Sequence, residues 1–408
     1  MSLTAATAQE RLTEVFRIAF SRLPSDPDRK AAFDRFLETG FPTTGHEEYR
    51  FTPITRSLEK NLGSISTGST VGTVSVPSIP GTATIVMVNG QPQPYDLTDG
   101  LERSHDASME PVTGDPFALL NAAFRQGTIQ IEAKRSVNTP IHIHWHTNAA
   151  EGTVFTAPHV ELTVRKNCSL TVIETYGHDS GHAFSTQTMK AHVEEGGRLD
   201  HLRLQQVDGA WDQVYNGVIR QDQNSVVNAF ILTTAGQIVR NNLTLEIDGT
   251  GAEGNLLGLY LLNGKTLADN HTVVDHRQPG ANSNELYKGV MQGQSKGVFN
   301  GKIFVRPDAQ KTNAFQSNRN IILSDNASVN TKPQLEIWAD DVKCSHGCTS
   351  GQLDEEGIFY LMSRGIDKAS AQAMMLDAYA GEVTDKIPSS VLAEFIRKVT
   401  AETIAQLK

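Results

Sequence analysis

Three residues near the C-terminal end have side chains suited to metal chemistry: Cys344, His346 and Cys348. They lie within five positions and include two of the three cysteines in the 408-residue chain. Thiolates and imidazoles bind zinc and iron-sulfur species. Three donors leave a tetrahedral site incomplete, so a closed site needs a further donor from elsewhere in the chain or from a second protein. The alternative is two unligated thiols, and the C-x-x-x-C spacing argues against a thioredoxin-like dithiol.

The flanking residues indicate how this stretch is held. Before Cys344, the apolar residues Leu335, Ile337 and Ala339 alternate with other residues, which predicts a strand. After Cys348, Asp354 precedes two glutamates and an apolar run, which predicts the start of a helix. The sequence therefore predicts a loop from Cys344 to Cys348, at the point where a β-rich body meets a helical tail.

A second group of possible ligands consists of His142, His144 and His146. On a strand these alternating residues share one face, so a histidine metal site is conceivable. The intervening apolar residues supply a buried face, which predicts that the histidines line the wetter side. No carboxylate ligand is apparent at matching spacing, and a solvated strand face is the alternative to a metal site.

Motifs of self-contained enzymes are missing from the sequence. It contains no G-x-x-x-x-G-K-[ST] phosphate loop, no G-x-S-x-G elbow and no H-E-x-x-H helix. Carboxylates are plentiful, but none stand out as a general acid and base. The sequence thus predicts that the chain is not an enzyme.

Composition limits the partners and the compartment. The formal net charge of -10 argues against nonspecific binding to nucleic acid or to an anionic membrane. Three cysteines are too few for a disulfide framework. We find neither a signal peptide nor an apolar run long enough to span a bilayer. The expected location is the cytoplasm.

Short alternating runs dominate from about Ile129 onward, and turn-rich clusters separate them at intervals of roughly 26 to 30 residues. The clusters lie at Lys166-Asn167, Gly196-Gly197, Asp222-Gln-Asn224, Gly249-Thr-Gly251, Pro279-Gly280 and Pro307-Asp308. A near-fixed period without intervening helices favours a β-solenoid, whose coils stack around a continuous core. A large β-sandwich is the competing interpretation, with strands at shorter and less regular spacing.

Helical patterns flank this β-rich part. We predict an N-terminal helical region at 1–62, a connecting region with short strands and a helix at 63–128, a β-helix core at 129–352 and a C-terminal helical region at 353–408. The second tail helix is expected to stop at Gly381. The last helix carries an apolar stripe that includes Leu392, Ile396 and Val399. This stripe either packs on its own neighbours or docks a partner.

The C-terminal stretch resembles the SufB/SufD scaffold family of iron-sulfur cluster assembly. The residues that carry the resemblance are Leu323-Ser324, Ala327, Pro333, Leu335-Glu336-Ile337, Asp340-Asp341-Val342, Cys344-Ser-His346-Gly347, Thr349, Phe359-Tyr360-Leu361 and Ser363-Arg364-Gly365-Ile366. Upstream, Glu48-Tyr49-Arg50-Phe51-Thr52-Pro53, Asn121 and Pro140-Ile141 agree with the family pattern. The resemblance covers nearly the whole chain.

Within the family the SufD branch is the better match. The chain is shorter than a typical SufB, lacks its N-terminal cysteine cluster, and has Cys-Ser-His-Gly where the SufB type has Cys-Glu-His. One departure is Cys348, whose position is usually Ala. Cys348 is either a bystander or an extra metal ligand, and we favour the bystander.

The resemblance implies a mainly β fold, with a right-handed parallel β-helix between N-terminal and C-terminal helical regions. It implies a non-catalytic scaffold that pairs with a SufB-type subunit through the C-terminal end of the β-helix and docks a SufC-type ABC ATPase on the C-terminal helices. Cys344 and His346 match residues at the interface where an iron-sulfur cluster forms transiently, so no tightly bound cofactor is expected in the isolated chain. An exposed final coil would also allow two copies of the isolated chain to pair.

Two other classes stay open on the sequence. One is a carbohydrate-active enzyme on a β-helix, which would group carboxylates or basic residues along one face and carry an export signal. The other is a cytosolic metal-binding protein that uses His142, His144 and His146.

Overall fold

The computed structural model describes residues 7–65, 74–103, 110–148, 153–179 and 181–407. Seven α-helices and one short 3-10 helix lie in these ranges: α1 (Ala8–Phe20), α2 (Pro27–Thr39), the 3-10 helix Glu47–Tyr49, α3 (Ile54–Asn61), α4 (Pro116–Phe124), α5 (Glu355–Ser363), α6 (Lys368–Thr384) and α7 (Ser390–Gln406). The strands are β1 (Ala83–Val88), β2 (Gln91–Pro92), β3 (Leu101–Glu102), β4 (Thr128–Ala133), β5 (Ile141–Thr147), β6 (Thr153–Thr156), β7 (His159–Val164), β8 (Ser169–His178), β9 (His182–Val193), β10 (Arg198–Gln205), β11 (Trp211–Gln221), β12 (Val226–Thr233), β13 (Ile238–Ile247), β14 (Glu253–Leu262), β15 (Leu267–His276), β16 (Asn282–Met291), β17 (Lys296–Val305), β18 (Asn313–Ile322), β19 (Ser328–Ile337) and β20 (Lys343–Gly351). Two parts of the predicted connecting region, residues 66–73 and 104–109, lie outside the described ranges.

The strands form two facing sheets, and from β9 onward each new strand pairs with the strand two before it in the chain. One sheet has the order β2-β1-β5-β8-β10-β12-β14-β16-β18-β20, and the other runs β19-β17-β15-β13-β11-β9-β7-β4-β3, with β6 paired to β9. From β4 onward the pairs are parallel; Leu267, for example, pairs with Lys296, 29 residues later. The predicted parallel β-helix is confirmed, and the β-sandwich is excluded because its sheets are antiparallel.

One corner of the β-helix repeats the same turn. Asn167, Gly196, Asn224, Gly251 and Gly280 all have positive φ, between 55° and 71°. Asn and Gly tolerate this left-handed conformation better than other residues, because of a short polar side chain or the lack of Cβ. Backbone hydrogen bonds join successive turns, as from Gly196 N to Gln223 O at 2.9 Å. The turn clusters predicted from composition are therefore the corners that set the coil length.

Helices cover the outer faces of the two sheets. The N-terminal helices pack aromatic residues such as Phe16, Phe36 and Phe124 against Phe155 and Phe184 of one sheet. At the other sheet, the C-terminal helices bury Leu392 and Ile396 with strand residues that include Leu257 and Leu259. The apolar stripe of α7 thus packs on neighbouring residues of the same chain, which is the first of the two alternatives given for it above.

Capping residues define the helix starts. The side chains of Asp26, Asp115, Asp354 and Asp367 each accept a hydrogen bond from a backbone N–H in the first turn of the helix they precede. The predicted end of α6 at Gly381 is wrong, because this helix continues to Thr384. Within the described ranges, no helix combines the length and the apolar character needed to cross a membrane.

Candidate metal-donor strand at the open end of the β-helix

The stretch from Cys344 to Cys348 is a strand, so the predicted loop is wrong. It forms the central part of β20, which pairs in parallel with β18. Local composition favours a turn, since Ser, Gly and Thr surround the donors, but pairing with a distant strand overrides this preference. The consequence is geometric: residues at alternate positions of a strand share one face.

That face points toward the interior of the β-helix. Cys344, His346 and Cys348 pair with Ala314, Gln316 and Asn318 of β18, all of which are buried. The intervening residue Phe315 is 43% exposed and points outward. Because paired residues of parallel strands project to the same side, the three donors continue the inner columns of side chains.

The donors are accessible because β20 is the last strand of its sheet. Cys344 is half-buried and packs against the inner core, whereas His346 and Cys348 are exposed. Burial raises the pKa of the Cys344 thiol. The thiolate is the metal-binding form, so Cys344 is a weaker donor in the isolated chain than its position alone suggests.

The donor set on this strand is incomplete. Within the described ranges, no group of three or more His, Cys, Asp or Glu side chains has the geometry to hold a metal ion. Donors at alternate positions of one strand are about 6.6 Å apart along the chain, too far for all three to ligate one ion without movement. A second protein facing β20 would have to supply further ligands.

Sequence reasoning missed a polar column beneath His346. Glu285 of β16, Gln316 of β18 and His346 pair in consecutive coils, and the first two are buried. Burial raises the pKa of Glu285 to about 7, although hydrogen bonds from Thr272 and Gln316 partly oppose this. The signal was present in the sequence, because Glu285 and Gln316 fall 31 residues apart in neighbouring repeats.

The second histidine group is buried, so the prediction that it lines a wetter face is wrong. His142, His144 and His146 occupy one face of β5 and are at most 6% exposed. Burial lowers the pKa of His142 and of His144 to about 4. The Thr175 hydroxyl lies 2.7 Å from His142 Nε2 and 2.8 Å from His144 Nδ1. His142 and His144 are therefore uncharged at neutral pH and pack as part of the protein interior.

Apolar side chains are exposed on the helical tail near the candidate strand. Phe359 is 73% exposed and Tyr360 is 58% exposed, both on α5, and Met374 of α6 is also exposed. A groove of about 780 Å³ lies between α5 and the last coils, lined in part by Leu323, Leu353 and Phe359. Exposed aromatic residues beside a groove are typical of a protein-binding surface.

Residues 145–379 match the family model described as SUF system FeS cluster assembly, SufBD core domain. The chain belongs to the SufBD family. The matched range contains β6 to β20 and therefore the donor strand.

Individual family members show the same relationship. The chain is 28% identical over 383 residues to the iron-sulfur cluster assembly protein SufD of Escherichia coli, covering 88% of this chain and 89% of that protein. It is 31% identical over 300 residues to an iron-sulfur cluster assembly SufBD family protein of Synechocystis, covering 71% of this chain and 66%, just under two thirds, of the relative. A Mycobacterium bovis protein of the same description is 29% identical over 352 residues, or 84% of each chain. The resemblance to the SufD branch is thus confirmed as homology, and the SUF system of iron-sulfur assembly is the context of this chain.

Proposed function

We propose that this chain is a non-catalytic scaffold subunit whose last strand supplies ligands for a nascent iron-sulfur cluster at an interface with a SufB-type subunit. His346 is the principal ligand, Cys344 is second, and Cys348 is a bystander. The observation that carries the proposal is the inner face of β20, which presents these donors at the uncovered end of the β-helix. The cluster is cargo of this site.

The unpaired strand edges support an interface at this end. β19 and β20 are the terminal strands of their sheets, and each leaves one edge of backbone donors and acceptors unpaired within the sheets. Such edges are templates for pairing with another chain. A partner that pairs there would bring its own ligands within reach of His346, which the incomplete set requires.

Reconstitution with and without the partner tests the shared site. Under anaerobic iron and sulfide, the isolated chain should bind no stoichiometric cluster, whereas the complex with a SufB-type subunit should do so. Cluster content is measured by visible absorption and by iron and sulfide analysis. A full cluster on the isolated chain would contradict the proposal, and Cys348→Ala should leave the complex unchanged.

The exposed tail surface is the proposed dock for a SufC-type ATPase. Phe359 and Tyr360 offer aromatic area that this chain does not cover itself. Nucleotide-driven movement of this ATPase would act on α5 and α6, which adjoin the last coils through the groove described above. The chain thereby links a motor subunit to the donor strand.

A paired substitution tests this dock. Phe359→Ser should weaken binding of the ATPase by about 2 kcal/mol or more, the range of buried aromatic anchors. Val391→Ser is the matched control, since Val391 is an exposed apolar residue of α7 that does not line the groove. Calorimetry with the purified ATPase measures both. Equal affinities for the two variants would place the dock elsewhere.

A further inference from the structure

The polar column beneath His346 distinguishes this residue from the two cysteines beside it. Glu285, Gln316 and His346 occupy the same inner column in three consecutive coils. Neighbouring strands lie about 4.8 Å apart, so each of these side chains is within reach of the next one. His346 is the last member and is open to solvent, whereas Gln316 is only 3% exposed.

The contacts of Gln316 fix the orientation of its amide group. Gln316 Nε2 donates to Glu285 Oε1 at 3.2 Å, and Thr272 Oγ1 donates to Glu285 Oε2 at 2.5 Å. Both carboxyl oxygens of Glu285 accept hydrogen bonds in this arrangement, so the amide presents its N–H to Glu285 and its carbonyl elsewhere. Across the interior, Gly301 leaves room for this amide, since a Cβ there would lie 2.2 Å from Gln316 Nε2.

The carbonyl oxygen of Gln316 takes no part in these hydrogen bonds. Gln316 Oε1 is buried and has no hydrogen-bond partner among the described residues. A buried acceptor without a partner destabilises the structure, so a donor that reaches it recovers most of that free energy. The next residue in the column, His346, carries such a donor on its ring.

The columns beneath the cysteines offer no such acceptor. Cys344 lies above Ala314, which is apolar. Cys348 lies above Asn318, whose Nδ2 donates to Tyr260 Oη at 2.9 Å and whose Oδ1 accepts from Asn320 Nδ2 at 2.8 Å. Of the three donors on β20, His346 alone lies above a polar group with a free acceptor.

We propose that Gln316 is a positioning residue for His346. When the exposed His346 ring turns toward it, Gln316 Oε1 accepts a hydrogen bond from one ring nitrogen, which leaves the other nitrogen unprotonated and directed outward to a metal. A neutral imidazole has one N–H and one lone pair, so fixing the proton on one nitrogen fixes the ligand atom on the other. Partners of this kind orient metal-bound histidines and tune their affinity. The metal-facing part of this inference rests on the proposed function of His346.

The tautomer of His346 provides the first test. Selectively labelled histidine in the full chain is followed by NMR, and His346→Gln assigns the signal. Gln316→Met should change the ratio of the two His346 tautomers roughly three- to tenfold, the effect of one net hydrogen bond. The matched control is Gln334→Met on β19, whose Oε1 is also buried without a partner among the described residues but whose strand does not pair with β20. An unchanged ratio in Gln316→Met would overturn the proposal.

Metal affinity provides the second test. The complex with a SufB-type subunit is titrated with Co²⁺ and followed by its visible absorption. Gln316→Met should weaken binding about 10- to 100-fold, as loss of an outer-shell partner does, while Gln334→Met should have no effect. A changed tautomer ratio with unchanged Co²⁺ affinity would overturn the metal-directed role of Gln316. If His346→Gln also left the affinity unchanged, the proposed function of His346 would fail instead, so the two failures are distinguishable.

Discussion

Glu174 and His346 both face the interior of the β-helix, but Glu174 lies in a covered coil and His346 in the last one. Glu174 is fully buried among polar partners: His201 Nε2 at 2.6 Å, Trp145 Nε1 at 2.6 Å and the Arg203 guanidinium at 3.5 Å. Burial opposes its ionisation, yet Arg203 and His201 hold its pKa at about 2. His346 has no coil above it.

The difference shows how one architecture supports two roles. In covered coils, an inner polar residue needs partners within the chain, because an isolated charge would be too costly there. In the last coil, the same column position is free to take a partner from another protein. The donor strand therefore owes its accessibility to its place as the last strand of its sheet, and its metal-binding potential to the residue types on β20.

The largest expected effect comes from breaking the covered network. Glu174→Leu should lower the free energy of unfolding by about 3–5 kcal/mol, because Arg203 and His201 lose their buried counter-charge. His346→Leu should change it by less than about 1 kcal/mol, as expected for an exposed site. Urea unfolding of both variants measures the contrast. Similar losses for the two would remove the distinction between covered and open coils.

Glu285 is buried like Glu174, but it lies only two strands from the open end of its sheet. Its ionisation should make the free energy of unfolding depend on pH. Its pKa of about 7 is above the ordinary value of 4.5, so the native state favours the protonated form. Stability is then greatest below pH 4.5 with respect to this group and falls as pH rises toward 7, by up to about 3 kcal/mol. Glu285→Gln should remove this part of the pH dependence, so the variant gains stability relative to wild type at pH 8 but not at pH 4.

Unfolding at several pH values checks this expectation. Glu336→Gln is the control, since it removes an exposed carboxylate from β19. An identical pH dependence for wild type and Glu285→Gln would contradict a buried, protonated Glu285.

Features governed by short-range rules were predictable from the sequence. The turn clusters predicted the coils because Asn and Gly at the corners meet a local requirement for positive φ. Asp354 predicted a helix start for the same kind of reason, a local hydrogen bond. The alternation at Leu335 and Ile337 predicted β19 correctly.

Features that depend on distant neighbours were not predictable in the same way. β20 is a strand because β18 pairs with it, and its own residues have low strand propensity. The burial of His142 and His144 depends on packing on both faces of β5, which alternation alone does not reveal. Cys344, His346 and Cys348 share one inner face because β20 is a strand, and a loop would not have imposed this arrangement.

Cluster assembly with His346→Ala, in the complex of this chain with SufB-type and SufC-type partners, tests most directly whether His346 is a cluster ligand. We expect an intact complex by size-exclusion chromatography, with cluster content reduced about tenfold or more, since loss of a ligand should cost at least as much as loss of an outer-shell partner. Ser345→Ala, on the adjacent outward-facing position, should behave as wild type. Full cluster content with His346→Ala would contradict a ligand role for His346, and loss of the complex itself would assign His346 a structural role instead.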